Sequence, residues 1–369
     1  MKITGITVWQ VDLPLQEGSY KISGGGSQVK FDTTVVCLET DEEVKGYGEV
    51  CPLGGFYFPA FAKGIRTGIQ EIGPAILGME PTQIGKVNER MDDVLKGHPF
   101  VKSAIDMACW DILGKKAGQP LSTLFGGTYG EDAILHKNVS FDEPETMAKR
   151  VARYKNEGYK RFTLQVGGEP DEDIDRIQWA LAQLEPGDRL VADANSGWLK
   201  HEAMKVVRAV RDLDILIEQP CQSYEECLSI RQNTDNAFVL DEVIERIPQL
   251  LRAHNSLAMD VLNIKISKYG GLTKAKLVRD LCMSLGIAVI IEDSWGGDII
   301  TAAIAHLAQS TPPQFLFACT DFNSYGTKSI ATGAPKGVNG GLTASKHPGL
   351  GIDPIPAILG EPEFEIREP

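Results

Sequence analysis

Four residues recur at nearly one interval: Asp193, Glu218, Asp241 and Lys265, separated by 25, 23 and 24 residues (193 to 218, 218 to 241, 241 to 265). Each closes a short apolar run, in LVAD, ILIE, FVLD and NIK. Three carboxylates gathered at one place repel one another unless a cation sits among them. An all-oxygen set without His or Cys points to Mg2+ or Mn2+ rather than Zn2+. A lysine beside such a cation, in a partly closed site, loses part of its preference for the ammonium form and becomes a usable base. Period-two alternation in NIKISK puts Asn263, Lys265 and Ser267 on one face and Ile264, Ile266 and Lys268 on the other, so Lys265 is the inward lysine. A single acid at a strand end is usually a helix cap or an ion-pair partner. Three in consecutive units, in matching register, are harder to explain that way.

The elements that must carry these groups follow from the rhythm of the chain. From about residue 134, eight apolar runs, LHKNVSF, RFTLQVG, LVADAN, ILIEQP, FVLDE, VLNIKIS, AVIIED and FLFACTD, alternate with amphipathic segments such as EPETMAKRVARYKNEG and HEAMKVVRAVRDL. Strand and helix in strict alternation predict a parallel sheet, and eight such units predict a barrel with its chemistry at the C-terminal strand ends. Upstream, ITVWQVDLPL, TTVVCLETDE and VKGYGEVCPL read as a meander of strands, and residues 59 to 117 as helices, closed at Gly118 after KSAIDMACWDILGKKA. The expected organisation is an α+β unit over residues 1–130, a barrel over 131–322, and a Gly- and Pro-rich segment, 323–369, that returns to the first unit.

Two loops of the first unit have the composition of lids, at about 15–30 (QEGSYKISGGGSQ) and 51–61 (CPLGGFYFPAF). The GGG run lacks the strand-to-helix context of a phosphate cradle and reads as surface loop. Phe56, Tyr57 and Phe58 suit a cover over a small ligand, with Tyr57 the expected contact. At the other rim, the seventh strand leads into EDSWGGD, with Glu292, Asp293, Trp295 and Asp298, and the eighth into Asp321 and Asn323. Acids beside an indole suit a cationic ligand. On the second strand, RFTLQVGG turns Thr163 and Gln165 to one face.

Composition narrows the classes. With 50 acidic and 37 basic residues in 369, the net charge of −13 argues against a nucleic-acid partner. Seven scattered cysteines without a CxxC pair fit a reducing compartment. The N-terminal MKITGITVWQVDLPL alternates like a strand and carries neither a signal sequence nor a membrane span, so a cytoplasmic protein is expected.

Taken together, Asp/Glu/Asp on strands three to five, the lysine in NIKISKYGG, and SAIDMACWDILGKKAGQPL followed by a Gly pair resemble the muconate lactonizing subgroup of the enolase superfamily. The resemblance runs the length of the chain. It implies a modified (β/α)7β barrel with an N-terminal capping domain completed by the C-terminal segment, Mg2+ on Asp193, Glu218 and Asp241, and a homo-oligomer. The implied chemistry is abstraction of a proton next to a substrate carboxylate, with the metal stabilising the resulting enediolate. Within the subgroup, CPLGGFYF, EQPCQSYEE, IEDSWGGDI and TDFNSYG resemble dehydratases of cyclic hydroxy amino acids such as 3-hydroxyproline. That likeness implies an amino-acid substrate whose ring nitrogen faces Asp321 and Trp295, with Thr163, Tyr57, Asp293 and Asn323 as further contacts.

One departure stands out. The subgroup carries KxK on strand two, and here Thr163 and Gln165 replace the two lysines; an amide exchanges no proton at neutral pH. Epimerisation, which needs a base and an acid on opposite faces, is disfavoured. Dehydration by Lys265 alone remains open, although a substrate whose α-hydrogen and hydroxyl lie on opposite faces needs another donor, on the metal or a lid. An epimerase with a substitute acid, a metal-binding pseudoenzyme, and an engineered lysine-to-glutamine change at 165 stay as alternatives.

Overall fold

The computed structural model describes residues 1–23 and 26–367. Gly24 and Gly25, most of the GGG run, lie outside the described residues. The capping unit is built on an antiparallel sheet of β1 (Ile3–Pro14), β2 (Lys30–Thr40) and β3 (Lys45–Val50). Helices α1 (Ala62–Ile76) and α3 (Pro99–Ala117) pack on it, with α2 (Ile84–Val94) against both of them. α3 is buried nearly all round because the sheet covers one side and the barrel the other. Its approach to β3 is set by glycine: a Cβ on Gly48 would stand 1.9 Å from the Ala104 carbonyl oxygen, and one on Gly46 2.2 Å from that of Ala108. Gly118, at φ 63°, closes the helix in the left-handed region.

The barrel strands follow in chain order: β4 (Lys137–Val139), β5 (Arg161–Gln165), β6 (Arg189–Asp193), β7 (Leu216–Glu218), β8 (Ala237–Leu240), β9 (Val261–Lys265), β10 (Ala288–Glu292) and β11 (Leu316–Cys319). All neighbours are parallel and sequential, and a parallel bridge between Leu135 and Cys319 joins the last strand to the first. The helices between them are α4 (Pro144–Asn156), α5 (Pro170–Leu181), α6 (Lys200–Ala209), α7 (Tyr224–Arg231), α8 (Ile247–Asn255), a single turn α9 (Ile266–Tyr269), α10 (Leu272–Ser284) and α11 (Asp298–Gln309). After β11 the chain touches both units: Gly326 bridges Leu15 of the cap, and Gly341–Leu342 pairs with Ala133–Ile134. Gly349 then bridges Pro120 just beyond α3, and β12 (Phe364–Arg367) closes the cap sheet antiparallel to β1.

Cap and barrel are pinned by a buried carboxylate. Glu49, at the end of β3, accepts from Thr33 Oγ1 (2.8 Å) and from the amides of Gly297 (2.8 Å) and Ile300 (3.0 Å) at the start of α11. An acid at a helix N-terminus meets the free N–H groups and the positive end of the helix dipole. All seven cysteines are buried and unpaired. Among the described residues no helix is long and apolar enough to cross a membrane.

Candidate active site

Register brings the working groups to one level. Gln165 on β5 is the direct partner of Asp193 on β6, and Asp193 of Glu218 on β7. Lys265 on β9 stands beside Glu292 on β10 in the same way. Asp241 follows β8 by one residue, its amide held by Gln219 Oε1 at 3.1 Å. Lys265 Nζ donates to Asp241 Oδ2 and Glu292 Oε1, both at 2.6 Å. Asn263, one alternation back along β9, bridges Glu218 Oε1 (2.8 Å) and Glu292 Oε1 (2.9 Å). Across the mouth, Gln165 Nε2 donates to Asp193 Oδ2 at 3.0 Å, an oxygen shared with Asn195 Nδ2 at 2.9 Å. A cavity of about 30 Å3 lies between these walls, lined also by Tyr20 and Ile22 from the first lid loop and by Leu53 and Tyr57 from the second.

The electrostatics follow from burial and crowding. Burial, more than any other cause, pushes the Asp193 carboxyl up to about 7 and the Glu242 carboxyl up to about 8. Glu218 is raised well above the usual carboxylate range, first by burial and then by the charges of Asp193 and Asp241. Asp241 and Glu292 go the other way: burial, the largest single influence, opposes ionisation, but Lys265 together with Lys268 at Asp241 and with His136 at Glu292 outweighs it. For Lys265, burial lowers the pKa, yet the surrounding carboxylates hold it well above the ordinary lysine value. With no cation among these acids the protein's own charges favour the ammonium form of Lys265, and a divalent ion there would offset them.

The donor set fits such a cation. Glu218 Oε2 and Glu242 Oε2 are buried without a partner in the protein, and the acids around them are all oxygen donors suited to a hard divalent ion. Among the described residues, no three Asp, Glu, His or Cys side chains already stand as a ligating cluster. The reason is visible at Asp241, whose two oxygens are engaged by Lys265, Lys268 and the Tyr57 hydroxyl.

The structure gathers Gln165, Thr163, Asp193, Lys265, Asp293, Trp295 and Tyr57 around the cavity. Of the three lid aromatics only Tyr57 reaches in; Phe56 is exposed, and Phe58 packs on Phe100. Trp295 presents its ring within an aromatic cluster, stacked on Phe31 with centroids 4.1 Å apart. Asn323 is turned away, donating to Asp298 Oδ1 (2.9 Å) and the Pro335 carbonyl (3.0 Å), while Asp298 also holds the amides of Ile330 and Ala331. Asp321 is buried outside the cavity wall, against the Tyr159 hydroxyl (3.2 Å) and Lys137 (3.9 Å). Both residues lie past the end of β11, where the chain has turned from strand into a 3-10 turn and alternation no longer points side chains inward.

Lys268 corrects the strand reading in the same manner. Alternation assigned it outward, but the chain coils into α9 directly after Lys265 and delivers the Lys268 ammonium to Asp241 Oδ1 at 2.7 Å. Unforeseen as members of the site were Glu242, Asn195 and His136. His136 precedes β4, with Nδ1 2.7 Å from Thr163 Oγ1 and Nε2 3.2 Å from Glu292 Oε2. Period-two alternation in LHKNVSF, which places His136 and Asn138 together, was the available signal; both line the cavity.

A (β/α) barrel under an α+β cap, with acids and a lysine on successive strand ends, defines the enolase superfamily, and the chain belongs to it. Residues 5–126 match the mandelate racemase / muconate lactonizing enzyme N-terminal domain and residues 146–358 the enolase C-terminal domain-like family. The cis-3-hydroxy-L-proline dehydratase of Roseibium aggregatum is 57% identical over 362 residues, covering 98% of this chain and 99% of its own. The N-succinyl-L-Arg/Lys racemase of Bacillus cereus is 31% identical, over 84% of this chain and 85% of that one. A mandelate racemase/muconate lactonizing enzyme of Roseovarius nubinhibens complexed with magnesium superposes with a TM-score of 0.96 at 35% identity, covering 99% of this chain and all of that one.

Proposed function

We propose that this protein is a Mg2+-dependent hydro-lyase that dehydrates a cyclic β-hydroxy amino acid of the 3-hydroxyproline type, with Lys265 as the base that removes the α-proton. The observation that carries the reading is the asymmetry of the mouth: a buried lysine on β9 held between carboxylates at the ends of β8 and β10, faced on β5 by an amide and a hydroxyl. Asp193, Glu218 and Asp241 would hold the metal, with Mn2+ as a substitute. When bound, the ion supplies positive charge to a substrate carboxylate as the adjacent carbon loses its proton. Lys265, its Nζ held in place by Asp241 and Glu292, takes that proton as the neutral amine. Asn263 keeps Glu218 and Glu292 in place, and the two lids exclude water from the carbanionic centre. Trp295 and Asp293 form the wall for the ring nitrogen.

Similarity to the Roseibium aggregatum dehydratase over nearly the full chain supports the same reading. Epimerisation, the activity of more distant relatives, requires a proton carrier where Gln165 stands. Incubation with Mg2+ in D2O against the cis and trans isomers of 3- and 4-hydroxyproline tests the proposal. A 3-hydroxy isomer should yield Δ1-pyrroline-2-carboxylate, the imine tautomer of the eliminated enamine. Inversion without elimination, or no exchange with any isomer, would overturn it.

A further inference from the structure

The dehydratase reading leaves one proton unassigned. In cis-3-hydroxy-L-proline the α-hydrogen and the hydroxyl lie on opposite faces of the ring, so the base that takes the first is badly placed to protonate the second. Lys265 is on the sixth barrel strand. The second strand lies four strands away in either direction around an eight-stranded barrel, so its side chains face Lys265 across the mouth. That wall holds Gln165, which cannot donate a proton in exchange, and Thr163, whose hydroxyl lies 2.7 Å from His136 Nδ1. Both Thr163 and His136 line the cavity, and both are buried.

We propose that the Thr163 hydroxyl, supplied with a proton by His136, is the acid that releases the substrate's β-hydroxyl on the face opposite Lys265. The step balances without a further reactant. Lys265 Nζ takes the α-proton, and the electron pair left on Cα becomes the Cα=Cβ bond as the Cβ–O bond breaks. The departing oxygen takes the Thr163 proton and leaves as water, and Thr163 recovers a proton from His136 Nδ1. One proton is gained at Lys265 and one lost at His136, and Glu292 touches both, at 2.6 Å and 3.2 Å.

The arrangement is directional. A ring carrying hydrogen on Nδ1 donates to Thr163 Oγ1, which leaves the threonine O–H free to donate into the cavity; Glu292 stands behind the same ring as its counter-charge. The other hydroxyls in the wall are Tyr20 and Tyr57 from the lids, with Tyr57 committed to Asp241 at 2.9 Å, and Ser294, which follows β10 on the Lys265 side of the mouth. The donor expected on the metal or a lid is thus assigned to the barrel itself.

The test uses the Mg2+-loaded, full-length protein in D2O with two substrates that differ in leaving group: cis-3-hydroxy-L-proline and its 3-fluoro counterpart, whose fluoride departs without a proton. In His136→Gln, dehydration should fall by about 10²-fold or more, fluoride release should stay within about threefold of wild type, and deuterium should accumulate at Cα of unconsumed hydroxy substrate because the carbanion returns. Thr163→Val should give the same split and Thr163→Ser should restore dehydration, which covers the case in which the histidine variant folds poorly. Unchanged dehydration in both His136→Gln and Thr163→Val overturns the role. So does loss of dehydration, exchange and fluoride release together in folded variants, which marks a purely structural pair. A wild-type protein that exchanges and releases fluoride but dehydrates no 3-hydroxyproline instead overturns the dehydratase reading beneath it.

Discussion

At the base of the barrel, buried polar groups are paired; at the mouth, several are left over. Arg279 on α10 is almost wholly buried, yet its Nη1 donates to the Ser310 carbonyl (2.8 Å), Ser310 Oγ (3.0 Å) and Thr311 Oγ1 (3.0 Å), and its Nε to Asp280 (2.6 Å). His306 on α11 is equally enclosed, with Nδ1 accepting from the Ser122 amide and Nε2 donating to the Leu350 carbonyl, each at 3.1 Å. Near the mouth, Gln165 Oε1, Asn195 Oδ1, Glu218 Oε2, Glu242 Oε2 and Asn263 Oδ1 are buried with no partner in the protein. An unpaired buried polar atom costs about 1–3 kcal/mol. One sheet therefore carries paired polar groups at one end and, at the other, a concentration of charge and hydrogen-bonding capacity that its own side chains leave available to a ligand.

The sharpest way to break this contrast is at the mouth. Lys265→Ala should lower both α-proton exchange and elimination by about 10³-fold or more, the range for loss of a general base. NMR in D2O reads both at once. Residual exchange near the wild-type rate would place the base elsewhere and remove the reason for the crowded acids.

At the base, the expected signature is in stability, and its sign is fixed by pairing. Burial pushes the His306 imidazole down to about 4 from an ordinary value near 6.5. The unfolded chain therefore binds the proton first as pH falls. The stability from keeping this ring neutral is fully present above about 6.5 and is lost progressively as pH drops toward 4, amounting to about 3 kcal/mol. Protonation would also set an N–H on Nδ1 against the N–H of Ser122. Urea unfolding at pH 7 and pH 4.5 should show this step in wild type and a smaller one in His306→Gln. An equal step in both would mean that the base is not where acid sensitivity resides.

How much of this contrast was legible in the chain depended on whether a residue sat within a regular strand. Asp193, Glu218 and Lys265 end strands whose two-residue period fixes the facing side, so spacing and alternation were enough to bring them together. Asn323, Asp321 and Lys268 lie just beyond a strand end, where a turn or a helix redirects the side chain. His136 lies before the three-residue β4, in a run too short for its alternation to attract notice beside the longer strands. The Glu49 contact with α11 joins positions some 250 residues apart, a pairing set by how the two units dock and invisible to local pattern.

Gln165→Lys sharpens the comparison within the mouth itself. The new ammonium would replace the amide that donates to Asp193 and would provide a second proton carrier opposite Lys265. Inversion at Cα should become measurable by chiral chromatography, while dehydration falls by about tenfold as the reprotonated carbanion is diverted, a difference of about 1.4 kcal/mol in barrier. A large rise in dehydration instead would mean that Gln165 disables the wall it occupies.

The smallest expected effect is a gain. Glu218 is buried and raised well above the usual carboxylate range, so ionising it costs the metal-free fold stability. For an acid raised on folding, the native state holds the proton longer than the unfolded chain, and stability falls as pH climbs from the unfolded value near 4.5 through the higher native one. Glu218→Gln keeps the shape and the contact with Asn263 on Oε1 but removes the ionisation. In metal-free protein it should therefore be more stable than wild type by about 1 kcal/mol at pH 8, and by less at pH 5. Mg2+, which stabilises whatever folded state binds it in proportion to affinity, should raise the wild-type Tm and leave that of the variant almost unmoved. Urea titrations at the two pH values, with and without the ion, separate these effects. A variant destabilised at pH 8 would show that this carboxylate serves the fold, and the division between a stable base and a costly mouth would not hold at the residue where it is most exposed to test.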